Sequence, residues 1–244
     1  MIIDVHNHIG LSRDGGHGKV DEVLQSMEEC KISMSVLFAV DEEGYQPTYE
    51  IQNDKVLAAQ NKYPDRIIAF TRIVPSAGKA AVKEFERCCA LGAKGLKLKT
   101  CDGFEPSDAK VILDVLGERR DFPVLIHTSH DEHSQPRIWQ PVVAKYPGLN
   151  FILAHGGKDH YRKCTELAIQ YPNVYVDTST LSYYRTQYIY ENAGPEKLLF
   201  ASDYPYSHPE IELKKIQLAV TKKDDLELVL FKNAARLLGL KGEK

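Results

Sequence analysis

Short apolar runs alternate with amphipathic stretches along the whole chain. Apolar runs at 2–6, 34–40, 66–74, 95–99, 123–127, 150–154, 174–177 and 197–201 predict strands. Helical patterns follow them at 20–30, 49–62, 79–90, 107–119, 137–145, 160–170, 183–192 and 210–220, with a last one at 226–238. Segments such as Val124-Leu125-Ile126 and Phe151-Ile152-Leu153 are apolar throughout, which suits strands buried on both faces. Strand–helix repeats predict a parallel sheet, because each crossover helix returns the chain to the same edge. Eight such repeats with no spare strand favour an α/β fold of the closed (β/α)8 TIM-barrel kind over an open doubly wound sheet. No Pro/Gly/Ser-rich linker interrupts the pattern, so residues 1–244 read as a single barrel domain.

Composition narrows the classes of partner. The 31 basic and 34 acidic residues give a net charge of −3, ordinary for a globular protein and unlike a disordered chain. A slight acidic excess argues against nucleic acid as a partner. No apolar run approaches the roughly 20 residues of a membrane helix, and residues 1–6 lack the basic and apolar regions of a signal peptide. The five cysteines (Cys30, Cys88, Cys89, Cys101, Cys164) are odd in number and form no C-x-x-C pair. They read as reduced thiols of a cytoplasmic protein. The expected partner is a small-molecule substrate, with no nucleic acid or membrane, and homo-oligomers stay open.

In a barrel of this kind, chemistry sits where strands run out into loops. The first strand ends Asp4-Val5-His6-Asn7-His8, and side chains at i and i+2 of an extended segment share a face. The fifth ends Ile126-His127, the sixth Ala154-His155-Gly156-Gly157, and the eighth Ser202-Asp203-Tyr204-Pro205. Each alone has an ordinary explanation as a core histidine, a turn residue or a helix cap. Together they put metal-type side chains at four strand ends that converge on one mouth. His6, His8 and His127 offer neutral nitrogens and Asp203 an oxygen, a set that suits one zinc or another first-row divalent ion. Water at an open position would ionise near neutrality, with Asp203 placed to take its proton. His155 would stand across the site to polarise a substrate oxygen or act as an acid.

These same residues resemble the amidohydrolase superfamily, and within it the amidohydrolase 2 branch of decarboxylases and lactonases. Lys94-Gly95-Leu96-Lys97-Leu98 and Asn233-Ala234-Ala235-Arg236-Leu237-Leu238 extend the resemblance over residues 1 to 238. It implies a distorted TIM barrel, metal ligands His6, His8, His127 and Asp203, and His155 as catalytic histidine. Many superfamily members bridge two metals with a carboxylated lysine or a glutamate on strand four. Strand four here offers Lys97 and Lys99 and no glutamate, and the branch usually holds one ion, so one is expected. Two neighbouring families also start with H-x-H. The Tat-linked deoxyribonuclease family has a strand-four glutamate, and the polymerase and histidinol phosphatase family spreads its later ligands differently.

Arg72 at the end of strand three and Lys97 at the end of strand four favour an anionic substrate, and His130 in the loop after strand five is the further candidate contact. The first loop, 10–18, with four glycines, reads as a lid or a plain surface loop. The leading expectation is a metal-dependent hydrolase of a small anionic amide, ester or lactone. Non-oxidative decarboxylation of an unsaturated or aromatic acid at the same site is the alternative. A barrel that binds a metal or metabolite without turnover is the third.

Overall fold

The computed structural model describes residues 1–13, 15–40 and 48–240. The first half of the chain forms β1 (Ile3–Leu11), β2 (His17–Gly18), α1 (Val20–Cys30), β3 (Met34–Ala39), α2 (Glu50–Lys62), β4 (Ile67–Arg72), α3 (Lys79–Ala90), β5 (Gly95–Leu98) and α4 (Lys110–Leu116). The second half forms β6 (Val124–Ile126), α5 (Gln140–Lys145), β7 (Phe151–Leu153), α6 (Tyr161–Gln170), β8 (Val174–Asp177), α7 (Tyr183–Ala193), β9 (Leu198–Leu199), α8 (Pro209–Ala219), α9 (Lys223–Glu227) and α10 (Asn233–Leu237).

The strands form one curled sheet in the order β2-β1-β3-β4-β5-β6-β7-β8-β9. Every ladder from β1 to β9 is parallel, and only the small β2 is antiparallel. The chain after β9 returns to β1. Val5 N–H donates to Phe200 O (3.1 Å), Asp203 N–H to His6 O (2.8 Å) and His8 N–H to Tyr204 O (2.8 Å). This seam closes the (β/α)8 barrel and brings Asp203 beside the two histidines of β1.

Alternation along each strand divides the apolar residues into two cores. Val36, Phe38, Ile68, Phe70, Leu125 and Ile152 point into the barrel, where Ala234, Leu237 and Leu238 of the C-terminal segment join them. Leu37, Ala69, Val124 and Ile126 point outward under the helices. The helices answer with apolar stripes, such as Ala81, Phe85 and Cys88 on α3. The expected elements are all present, with four differences. β1 runs on to Leu11, because backbone pairing to β3 and β2 continues through polar His6–His8. Three-residue and four-residue 3-10 turns led by proline precede several helices; Pro106 and Pro136 open those before α4 and α5. The 226–238 helix is broken by a π turn at Leu228–Lys232. The first loop is a hairpin onto β2, with Asp14 outside the described residues. The five cysteines are unbridged. Among the described residues no helix is long and apolar enough to cross a membrane.

Candidate metal centre

Three ligand atoms meet at the C-terminal mouth of the barrel. His6 Nε2 lies 3.2 Å from His8 Nε2, and each nitrogen is 3.1 Å from Asp203 Oδ1. The local backbone explains the meeting. A register shift between Asp4 and Asn7 inserts one extra residue in β1 relative to β3, a bulge of the kind that re-aims side chains. Asp203 adopts a left-handed φ of 64°, held by its N–H bond to His6 O. Next to it, Ser202 N–H donates to Asp4 Oδ1 (2.9 Å) and Ser202 Oγ to Asn7 Oδ1 (3.1 Å).

This donor set fits a divalent ion. Ligand atoms about 2.1 Å from one ion, at angles between octahedral and tetrahedral, stand about 3.0–3.4 Å apart. Burial holds the His6 imidazole well below its usual pKa, with the nearby Lys97 charge acting in the same direction. It is therefore neutral, the form that ligates a metal.

Asp177, at the end of β8, orders the site from behind. Its Oδ2 accepts from His6 Nδ1 at 2.6 Å, which leaves His6 Nε2 turned to the donor set. Its Oδ1 accepts from the backbone N–H of His155 (3.1 Å), and from the N–H (2.8 Å) and Oγ–H (2.6 Å) of Ser179. Ser179 Oγ, having donated its proton, accepts from His155 Nδ1 at 2.9 Å. His155 therefore carries its proton on Nδ1 and has Nε2 as an acceptor. Burial first, with help from His6 and Lys97, brings its pKa down to about 3, so the ring is neutral. Asp203 Oδ2 stands 3.8 Å from its Nδ1. His6, His155 and Asp177 form a second close trio, but Asp177 is already saturated by these hydrogen bonds.

The mouth opens as a cavity of about 410 Å³. His127 lines it but stays outside the His6–His8–Asp203 group, its ring T-shaped against His155 at 5.1 Å between centroids. Lys97 lies 3.5 Å from His6 Nε2 and 4.6 Å above the Phe38 ring. Burial lowers it to about 7 against the opposing pull of Asp203 and Asp177. Arg72 also lines the cavity, yet its guanidinium is gripped by Asp102 (2.7 and 3.0 Å) and by Ala39 O (3.0 Å). Its charge is thus answered inside the protein. His130 is exposed, bonded to Ser129 Oγ at 3.2 Å, and is not among the cavity-lining residues. Sequence reasoning missed Asp177, Ser179 and Lys158. The first carried a readable signal, since the strand-end criterion applied to 174–177 selects Asp177 directly. Ser179 and Lys158 lie in loops whose course no periodicity reveals.

Comparison with known proteins adds a family and a fold. The family model described as amidohydrolase matches residues 3–240. No curated protein matches the chain. Among solved structures, 5-carboxyvanillate decarboxylase from Sphingomonas paucimobilis is 16% identical, with a TM-score of 0.77 over 98% of this chain and 99% of that one. A dihydroxybenzoic acid decarboxylase from Polaromonas, with bound manganese and the inhibitor 2-nitroresorcinol, is 16% identical, with a TM-score of 0.73 over 98% and 97%. The 4-oxalomesaconate hydratase of Rhodopseudomonas palustris is 17% identical, with a TM-score of 0.72 over 98% and 96%. Identities of this size carry the fold and not the reaction.

Proposed function

The chain belongs to the amidohydrolase family, a family of metal-dependent enzymes, and from that premise we propose that it hydrolyses a small anionic amide, ester or lactone. The observation that carries this reading is the convergence of His6 Nε2, His8 Nε2 and Asp203 Oδ1 to within 3.2 Å of one another on the wall of a cationic cavity. Those three residues would hold the ion, with His127 the further ligand expected from the family pattern. Zinc is our assignment, from the mixed imidazole and carboxylate donors. Once bound, the ion supplies Lewis acidity, polarising a carbonyl and easing the ionisation of water.

The remaining roles belong to the protein's own groups. Asp203 spans two positions, with Oδ1 in the donor set and Oδ2 toward His155. It takes the proton of the attacking water and returns it to the leaving oxygen or nitrogen. His155, fixed as the Nδ1–H tautomer by Ser179, presents Nε2 as an acceptor and orients a substrate that carries an N–H or O–H group. That supports a holding role for His155 more than the oxygen-polarising or acid role expected from sequence. Lys97, buried at the cavity floor, offsets negative charge on the substrate. Unbridged cysteines fit a reducing, cytoplasmic setting.

Decarboxylation is the second reading, favoured by the decarboxylases among the solved structures of like fold. In it the bond from carbon to a carboxylate breaks, CO2 departs, and a proton from Asp203 replaces it on carbon. A screen of the zinc- and manganese-loaded protein against lactones, amides, esters and unsaturated or aromatic acids, with CO2 detection, separates the two. Hydrolysis predicts turnover without CO2. Release of CO2 selects the second reading, and no turnover of any class by loaded protein contradicts both.

A further inference from the structure

Behind the turn after β8 lies a buried ion pair that the chemistry above leaves unused. Glu212 and Lys215 stand one turn apart on α8, bonded to each other, and are only 4% and 9% exposed. Neither lines the cavity. Both instead face the segment that holds His155. Lys215 Nζ donates to Thr178 O at 2.7 Å. The Thr180 N–H favours the ionised form of the Glu212 carboxyl. The second Glu212 oxygen accepts from Ser207 Oγ at 2.9 Å. Ser207 belongs to the loop after Asp203, whose Tyr206 packs edge-on against the His8 ring. The pair thus joins two loops of the cavity wall from the helix behind them.

The bend at 178–180 needs such a hold. Thr180 has a φ of 54°, a left-handed conformation costly for a β-branched residue. It lines the cavity, with Oγ1 3.4 Å from His155 Nδ1. The Thr178 end of the bend is also pinned to β9, its N–H and Oγ1 both donating to Leu199 O (3.2 and 3.1 Å). Asp177 turns the Ser179 hydroxyl, but a contact between residues two apart travels with the backbone that carries them. Placing that backbone against His155 falls to Glu212 and Lys215. A buried ion pair adds little stability over apolar side chains of the same volume, so what this one supplies is direction. Lys215 and Asp177 also attract each other, which favours the ionised carboxylate that Ser179 needs. We propose that Glu212 and Lys215 are positioning residues for His155: by fixing the bend at 178–180 from α8, they keep its ring in the single Nδ1–H form with Nε2 as acceptor. This deepens the reading of His155 as an orienting group in a metal-dependent active site, and rests on it.

Long-range ¹H–¹⁵N spectra of zinc-treated protein labelled at histidine test this, with the His155 ring identified by its loss in His155→Gln. The wild type should show one form, protonated on Nδ1. Lys215→Met keeps the packing of the stem and removes the ammonium. Glu212→Leu combined with Lys215→Met replaces the pair by apolar groups, a change that buried pairs commonly tolerate. In both variants His155 should become a mixture, the Nδ1–H excess falling about fivefold or more, the worth of one hydrogen bond. Lys215→Arg should keep the wild-type spectrum. His6 should stay protonated on Nδ1 throughout, because Asp177 Oδ2 holds it directly. Urea midpoints show which variants fold. A folded variant of either kind with the wild-type His155 spectrum overturns the inference, as does a wild type that is already mixed. Loss of the fold in both variants overturns it too, since the pair would then support the fold alone. The tautomer is read without substrate. Protein that shows the predicted spectra yet takes up no divalent ion defeats the functional reading and leaves the positioning of His155 standing.

Discussion

The two sides of the cavity hold their histidines in opposite ways. Toward the β1–β9 seam, His6 and His8 aim ring nitrogens at Asp203 and at each other, 3.1–3.2 Å apart. Toward β6 and β7, His155 is tied through Ser179 to Asp177, and His127 packs on its ring. His6 and His8 lie within β1, whereas His127 and His155 stand just past the ends of β6 and β7. For His6 and His155 the difference lies in the partner of Nδ1, Asp177 in one and Ser179 in the other, and in the direction it gives Nε2. Asp177 serves both sides at once, with one oxygen on His6 and the other on the His155–Ser179 pair.

Breaking each side in turn should give different failures. Asp203→Asn should lower turnover by about 10²–10⁴-fold and also empty the metal site, because a donor and a proton carrier are lost together. His155→Gln should cost about 10²-fold in turnover with metal content kept at one ion per chain. Elemental analysis beside steady-state kinetics reads both, and a His155→Gln protein that loses its metal would erase the distinction. Asp177→Asn joins the two failures. Its amide no longer fixes the His6 tautomer, so zinc affinity should drop by about 10–100-fold in competition with a chelator. An unchanged affinity would mean that Asp177 does not orient His6.

The contrast between the sides is partly legible in the sequence. His6, His8 and Asp203 stand out in the sequence as polar residues where apolar runs give way, and the fold gathers them because the segment after β9 pairs with β1 beside its histidines. His127 stands out on the same ground, yet proximity to a mouth does not fix where a side chain points. Arg72 reads as a substrate contact when taken alone. Only the fold reveals Asp102, thirty residues on, gripping its guanidinium. The eight repeats were legible because buried parallel strands are apolar on both faces. The length of β1 was not, since its polar half is held by backbone pairing that leaves no mark on side-chain pattern.

Acid should sharpen the same comparison in metal-free protein. Burial holds His6 and His127 well below 6.5 and His155 at about 3, while it lifts Asp203 to about 6 and Asp4 to about 7. Below pH 6.5 the unfolded chain gains protons on three histidines that the folded chain leaves neutral. The folded chain gains them on two carboxyls that remain ionised when unfolded. The histidines outnumber the carboxyls, so the unfolded state binds about one proton more and stability falls with falling pH. The fall runs from about pH 6.5 to about pH 5. Urea midpoints taken across that window check the sign, and a rising midpoint would show that the carboxyls dominate. The smallest effect belongs outside the cavity. His130→Ala should leave turnover within about twofold and stability within about 0.5 kcal/mol, because the ring is exposed.

Every role proposed above depends on one divalent ion held between His6, His8 and Asp203. Anomalous diffraction at the zinc edge, from crystals grown with zinc, tests it most directly. One strong peak per chain is expected, about 2.0–2.2 Å from His6 Nε2, His8 Nε2 and Asp203 Oδ1. A zinc held by other residues with none against His8, or no peak in the barrel mouth, would contradict it.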